Sequence, residues 1–240
     1  MTVPLLRAQG VTKRFGGLVA VNDVSFDVAA GDLVSIIGPN GAGKTTLFNL
    51  LTGQLAPSAG QVMFEGADIS GVSPNGRAKL GLGRTFQISQ TLTSLTVLEN
   101  AMIGAFLHHR GLREAARRAE EVLHLVGLAD RARIRAGILT LSERRRLEVA
   151  RALALEPRIV LLDEVMAGLN STETHEVVDL VERLNRGGQT FLVIEHNLKV
   201  VRRFSHRVIV IERGGKLAEG TADEVLQDPR VVEAYIGRAA

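Results

Sequence analysis

The sequence predicts an α/β fold built on a parallel sheet, and three observations carry that prediction. A continuous apolar run, LVSII (33–37), leads through the glycine-rich GPNGAGKTT into a helix-like TLFNLLTG. Two further strand-like runs, RIVLLDE (158–164) and TFLVIEH (190–196), return later in the chain. Between the first run and these lies a long stretch with helical spacing, including LREAARRAEEVLHLVGL. Unbroken apolar runs are what strands covered on both faces require, and strand–loop–helix units alternating with strands make a parallel sheet.

Taken in order, the residues up to about 37 read as β-rich. Val24, Phe26 and Val28 alternate with polar residues, as in a half-buried antiparallel strand, and QVMF (61–64) is a further short strand. From about 88 to 156 the character is helical. Leu112, Ala115, Ala116, Ala119, Val122, Leu123 and Val126 recur at helical spacing, and Gly127 is placed to end that helix. Its other face offers Glu114–Arg118 and Arg117–Glu121 pairs at i,i+4, so its arginines read as a solvated face. His108 and His109 point to different faces beside Arg110 and read as surface residues, not metal ligands.

In LTLSERRRLEVARAL (139–153), Thr140 stands three residues before Glu143, the spacing of a capping box. Leu147, Ala150, Leu153 and Ala154 form the apolar face of that helix. Arg144, Arg145 and Arg146 leave three readings: a nucleic-acid patch, a solvated face, or a helix start aimed at a phosphate. RVIVIERGGKLAEG (207–220) reads as a hairpin with its turn at Gly214–Gly215. The expected organisation is a single domain, with 1–87 and 157–240 as core and β subdomain and 88–156 as a helical subdomain.

Composition narrows the function. The chain has 240 residues, 45% of them hydrophobic, and 29 basic against 26 acidic residues give a net charge of only +3. Lys44 is one of few lysines, so its place in a glycine loop stands out. There is no cysteine, which excludes disulfides and thiolate metal sites. No signal peptide is evident at MTVPLLRAQG, and no apolar run approaches the roughly 18–20 residues that span a bilayer. Any membrane role is expected to come through a partner.

Gly38-Pro39-Asn40-Gly41-Ala42-Gly43-Lys44-Thr45 matches GxxxxGK[ST] between a buried strand and a helix, the context the motif requires. Glycines let main-chain N–H groups close around phosphate oxygens, and the helix start adds a favourable dipole. Lys44 is expected to neutralise the β- and γ-phosphates, and Thr45 to offer its hydroxyl to Mg²⁺. The apolar strand ending in Asp163 and Glu164 supplies the second acidic element. Asp163 suits Mg²⁺ and Glu164 suits activation of a water, which argues for hydrolysis over transfer to a hydroxyl acceptor. No Asn-Lys-x-Asp guanine motif is present.

With the phosphate loop, the carboxylate strand and a capped helix upstream of it, the chain resembles the nucleotide-binding subunit of ABC transporters over essentially its whole length. Gln87 in RTFQ, AGLN (167–170) and His196 at the end of TFLVIEH add to the likeness. RTFQ, LDE followed by VMAGLN, IEHNLKVV and EAYIG resemble the branched-chain (hydrophobic) amino-acid uptake branch. The resemblance implies a P-loop NTPase (RecA-like) core with an antiparallel β subdomain and an inserted helical subdomain. It implies ATP and Mg²⁺ as ligands, held through Gly38, Pro39, Asn40, Gly41, Ala42, Gly43, Lys44, Thr45 and Thr46, with Phe15 stacked on adenine. Gln87 would sense metal and water, and His196 would hold the γ-phosphate and the attacking water.

LTLSE stands where the family normally carries LSGGQ, so Thr140 takes the serine place, Leu141 and Ser142 the glycine places and Glu143 the glutamine place. The resemblance implies that this cap, with Thr140 and Ser142 as donors, faces the γ-phosphate on a second ATP-binding subunit, in a homo- or heterodimer. The arginines then need no nucleic acid. Losing both glycines limits close backbone approach, and Glu143 puts a carboxylate near an anion. Reduced or asymmetric activity at that site is therefore expected. The implied partners are integral membrane permease subunits, reached through 88–106, and indirectly an external solute-binding protein. The implied location is the cytoplasmic face of the membrane. Two rivals stay open: a soluble ABC-type ATPase acting on nucleic acid or ribosomes, and a regulatory subunit that binds ATP but scarcely hydrolyses it. Low aromatic content, 4% with no Trp, supplies few base-stacking platforms for the first.

Overall fold

The structure is a computed structural model and describes residues 3–85 and 91–236. In chain order the elements are β1 (Leu6–Phe15), β2 (Leu18–Val28), β3 (Leu33–Ile37), α1 (Lys44–Leu51), β4 (Ala59–Phe64), β5 (Ala67–Asp68), α2 (Pro74–Leu80) and β6 (Leu82–Arg84). There follow α3 (Val97–Ala105), α4 (Leu112–Leu125), α5 (Leu141–Leu153), β7 (Ile159–Asp163), α6 (Ser171–Arg186), β8 (Thr190–Ile194) and α7 (Leu198–Phe204). The chain closes with β9 (Arg207–Glu212), β10 (Gly215–Gly220), α8 (Ala222–Gln227) and α9 (Pro229–Ile236). Two units form, Met1–Arg77 with Thr190–Ala240, and Ala78–Gln189.

In the first unit β3 has parallel neighbours on both sides, Ile36 lying opposite Ile194 of β8 and Ile209 of β9. That is why all five of its residues are buried and why its sequence does not alternate. β1 pairs antiparallel with β2 and with β4, and Val24, Phe26 and Val28 point inward as their alternation predicts. The β9–β10 hairpin forms, but Gly215 lies opposite Glu212, so the turn residues are Arg213 and Gly214. The expected turn at Gly214–Gly215 is thus displaced by one residue. Both turn residues have positive φ, 47° and 83°, as a two-residue turn matched to strand twist requires.

α1 ends against a buried cation. Arg77 is 1% exposed, and its guanidinium donates to the carbonyls of Leu50, Leu51, Ile69, Ser70 and Val72 at 2.6–3.1 Å. Leu50 and Leu51 are the last residues of α1, where carbonyls lack a following helical turn, and the Leu50 carbonyl also accepts from Gly53 N–H at 3.3 Å. Arg77 therefore caps that end and ties it to the 69–72 segment.

In the second unit β6 and β7 pair in parallel, and helices α3 to α6 carry the rest of the apolar surface. α4 buries Ala115, Ala119, Val122 and Leu123, while Leu112 stays 73% exposed, and Gly127 follows at φ 69°. Arg118 pairs with Glu121 at i,i+3, and its Nη2 also donates to the Leu153 carbonyl, because α5 lies within its reach. The three consecutive arginines near the start of α5 turn out to be internal clamps. Arg144 donates to the carbonyls of Gly137 and Leu139, buried Arg145 pairs with buried Glu148 at 3.2 Å, and Arg146 reaches the Gly127 carbonyl. His109 bonds Glu156 at 2.7 Å, and among the described residues no group of three or more His, Cys, Asp or Glu could hold a metal.

Candidate functional site

The phosphate loop leaves β3 at Gly38 and enters α1 at Lys44. Gly43 sits at φ 102°, and a Cβ there would lie 2.4 Å from the Ala20 carbonyl oxygen. A Cβ on Gly38 would lie 2.1 Å from the Ile211 carbonyl oxygen. Only glycine fits either place, so the spacing of the motif is a packing requirement as much as a chemical one. Lys44 is 7% exposed, and its ammonium donates to the Gly38 and Pro39 carbonyls at 2.8 and 3.0 Å. The lysine is thereby held over its own loop, at the start of a helix, the end whose dipole favours an anion. The hairpin supports the loop from behind, since Gly214 N–H donates to the Ala42 carbonyl at 2.9 Å. Nothing in the glycine motif itself signals that support.

His196 follows β8, the parallel neighbour of β3, so the strand geometry brings the phosphate loop and His196 to the same end of one sheet. Ligands collect at that carboxyl end in α/β folds. The histidine is exposed, and its main-chain N–H donates to the buried Glu195 carboxylate. Asn197 then caps α7 by accepting from the N–H groups of Lys199 and Val200. Phe15, at the end of β1, is 46% exposed, and the Lys13 ammonium lies 5.2 Å from its ring centroid. One ring is thus available for stacking and is polarised by a cation.

In the second unit Asp163 ends β7 and is 1% exposed. Its main-chain N–H donates to the Thr85 hydroxyl, and its Oδ2 accepts from Arg84 Nη2 at 3.2 Å. Burial pushes the Arg84 pKa down, against the pull of Asp163. Arg84 and Thr85 stand in the RTFQ motif, where only Gln87 carries an expected role; Gln87 itself lies outside the described residues. Glu164, next in the chain, is half-buried with φ 50°. A non-glycine residue in that region is strained, a feature that concentrates at functional sites.

The expected capping box forms at α5. The Thr140 hydroxyl accepts from Glu143 N–H at 3.2 Å, and the Glu143 carboxylate accepts from Thr140 N–H at 2.9 Å. Glu143 also pairs with Arg131 at 3.2 Å. The carboxylate that replaces a glutamine is therefore committed to the cap and offset by a guanidinium. Thr140 is exposed, whereas Ser142 is 4% exposed with its hydroxyl buried and without a hydrogen-bond partner. Asn170 forms a second capping box, with Glu173, at the start of α6.

Comparison with known proteins identifies the family. A family model described as ABC transporter matches residues 21–167, and one described as Branched-chain amino acid ATP-binding cassette transporter matches residues 216–240. The high-affinity branched-chain amino acid transport ATP-binding protein LivG of Salmonella typhimurium is 40% identical over 255 residues, covering 100% of both chains. The crystal structure of the ADP conformation of an ATP-binding cassette of an ABC transporter is 35% identical, with a TM-score of 0.90 over 98% of this chain and 100% of that one. The dimeric structure of a bacterial ABC transporter cassette is 28% identical, with a TM-score of 0.80 over 90% of this chain and 98% of that one.

Proposed function

Because the chain belongs to the ABC transporter family of ATP-binding subunits, we propose that it powers uptake of branched-chain amino acids through separate membrane permease subunits. It is an ATPase. The observation that carries the nucleotide site is Lys44, held by two loop carbonyls at the start of α1 inside a turn that only glycine can make. The loop 38–46 wraps the phosphates with its main-chain N–H groups from Asn40 onward as donors, Lys44 neutralises their charge, and Phe15 stacks on adenine.

The donor set fits Mg²⁺. Thr45 and Asp163 offer hard oxygen ligands, the chain has no cysteine, and Mg²⁺ normally takes one or two protein oxygens with the rest from phosphate and water. Held by Thr45 and Asp163, Mg²⁺ would supply charge neutralisation on the phosphates. Glu164 takes the proton of the attacking water, His196 holds that water and the γ-phosphate, and Gln87 senses the metal and the water. Residues 1–240 act as one ATPase domain, with 88–156 as its helical subdomain.

The other wall of the site comes from a second ATP-binding subunit, identical or related. Its Thr140, with the first N–H groups of the following helix, meets the γ-phosphate. Arg131 lessens the repulsion Glu143 would otherwise exert, while the missing glycines still reduce activity there. The subunit sits peripherally on the cytoplasmic face of the permease, a placement supported by its similarity to ATP-binding subunits of membrane transporters. An external solute-binding protein acts through the permease. Glu164→Gln is expected to bind ATP without turnover and to run as a dimer on size exclusion with ATP and Mg²⁺. A strictly monomeric variant under those conditions would count against the reading.

A further inference from the structure

The carboxy-terminal helix α9 carries Tyr235 back to the beginning of the phosphate loop. Tyr235 packs on a buried cluster that contains Ile37, Val201, Val225 and Val231, with Leu198 at its margin. Ile37 is the last residue of β3, directly before Gly38, while Leu198 and Val201 belong to α7, which begins two residues after His196. A single apolar cluster therefore joins the entry to the phosphate loop, the segment behind His196 and the last two helices. All of these residues lie in the first unit.

The hydroxyl of Tyr235 is buried and lacks a well-aligned hydrogen-bond partner. Tyr235 packs on the cluster that holds Ile37, the residue directly before Gly38; burial pushes the phenol pKa up to about 12, and the Gly38 main-chain N–H pulls it the other way. Gly38 is closely confined on one side, where a Cβ would meet the Ile211 carbonyl oxygen at 2.1 Å. Its own carbonyl accepts from Lys44 at 2.8 Å. Two of the three Lys44 donors are taken by the Gly38 and Pro39 carbonyls, so a triphosphate that meets Lys44 shares the ammonium that holds Gly38, which ties Gly38 to nucleotide occupancy.

We propose that Tyr235 is a positioning residue for the phosphate loop, its hydroxyl engaging the Gly38 N–H in the nucleotide-bound state and so coupling α9 to nucleotide occupancy. The proposal rests on the reading of 38–46 as the ATP site. It gives the hydroxyl a partner, and it lets α7 and α9 respond together through the cluster they share.

The chain offers a direct probe, since Tyr235 is its one tyrosine and it has no tryptophan. Ultraviolet emission excited near the phenol band therefore reports this side chain alone. ATP is titrated into the full chain, inner filtering is corrected with free N-acetyltyrosinamide, and binding is measured separately by equilibrium dialysis. The expected result is an emission change whose midpoint matches the dialysis constant. Tyr235→Phe, which keeps the ring in the cluster, is expected to melt like the parent and bind ATP about 3- to 10-fold more weakly, the loss of one hydrogen bond. Normal ATP binding by dialysis, with unchanged emission and an unaltered constant in Tyr235→Phe, overturns the proposal and leaves the ATP site standing. Absence of ATP binding by dialysis removes the ATP site and the proposal together.

Discussion

Replacing Arg77 by methionine tests how the structure holds its phosphate-binding helix. Methionine keeps much of the volume and removes the charge and all the donors. Five hydrogen bonds from the guanidinium to carbonyls are lost. Bonds from a charged donor contribute about 1.5 kcal/mol or more each, so the gross loss is about 7 kcal/mol. Part is recovered, because burying the guanidinium costs several kcal/mol, a penalty also visible in its pKa, lowered to about 10 by burial. Arg77 stays protonated at neutral pH, so the bonds are present there. The net expectation is a loss of about 3–4 kcal/mol, which at 2–4 °C per kcal/mol lowers the melting temperature by about 10 °C. Lysine should recover less than half of this, since one ammonium with three donors cannot serve five acceptors arranged for a fork. The assay is thermal unfolding followed by circular dichroism, with amide exchange read at α1. A methionine variant melting within about 2 °C of the parent would show that the bonds are not what holds α1.

Three further outcomes are expected. Arg84→Ala removes the cation from Asp163 Oδ2 at 3.2 Å, so Mg²⁺ should support nucleotide binding at about tenfold lower concentration; an unchanged or raised midpoint in a Mg²⁺ titration contradicts this. Gly38→Ala forces a Cβ to within 2.1 Å of the Ile211 carbonyl, and dialysis should show ATP affinity down by about 100-fold; unchanged affinity would show that the loop shifts without loss. Thr140→Ala loses the acceptor for Glu143 N–H and should cost about 1 kcal/mol in a denaturant titration, with Thr140→Ser restoring it. Equal stability of all three proteins would mean the box contributes nothing.

Much of this was legible in the sequence where the requirement is local. The glycine loop, the box between Thr140 and Glu143 and the unbroken strand LVSII each follow from a few neighbouring residues whose types admit one geometry. The hairpin was legible, but its turn moved to Arg213–Gly214, because two positive φ values decide the turn and not a pair of glycines. What escaped is long-range. Arg144 and Arg146 look like surface charge until the carbonyls of Leu139, Gly137 and Gly127 are seen within their reach. Arg77 has acceptors in two separate segments of the chain, and the partners of Arg84 and Tyr235 lie far away in sequence. No periodicity records such partners.

The central claim is that ATP consumed with Glu164 as base drives amino-acid uptake. Its most direct test is uptake of labelled leucine by the assembled transporter in proteoliposomes, with ATP hydrolysis followed in the same vesicles. The parent should accumulate leucine only with ATP and Mg²⁺, and Glu164→Gln, though still binding ATP, should lose uptake and hydrolysis together. Leucine accumulation that persists in the Glu164→Gln transporter, or that proceeds without ATP, would contradict the account.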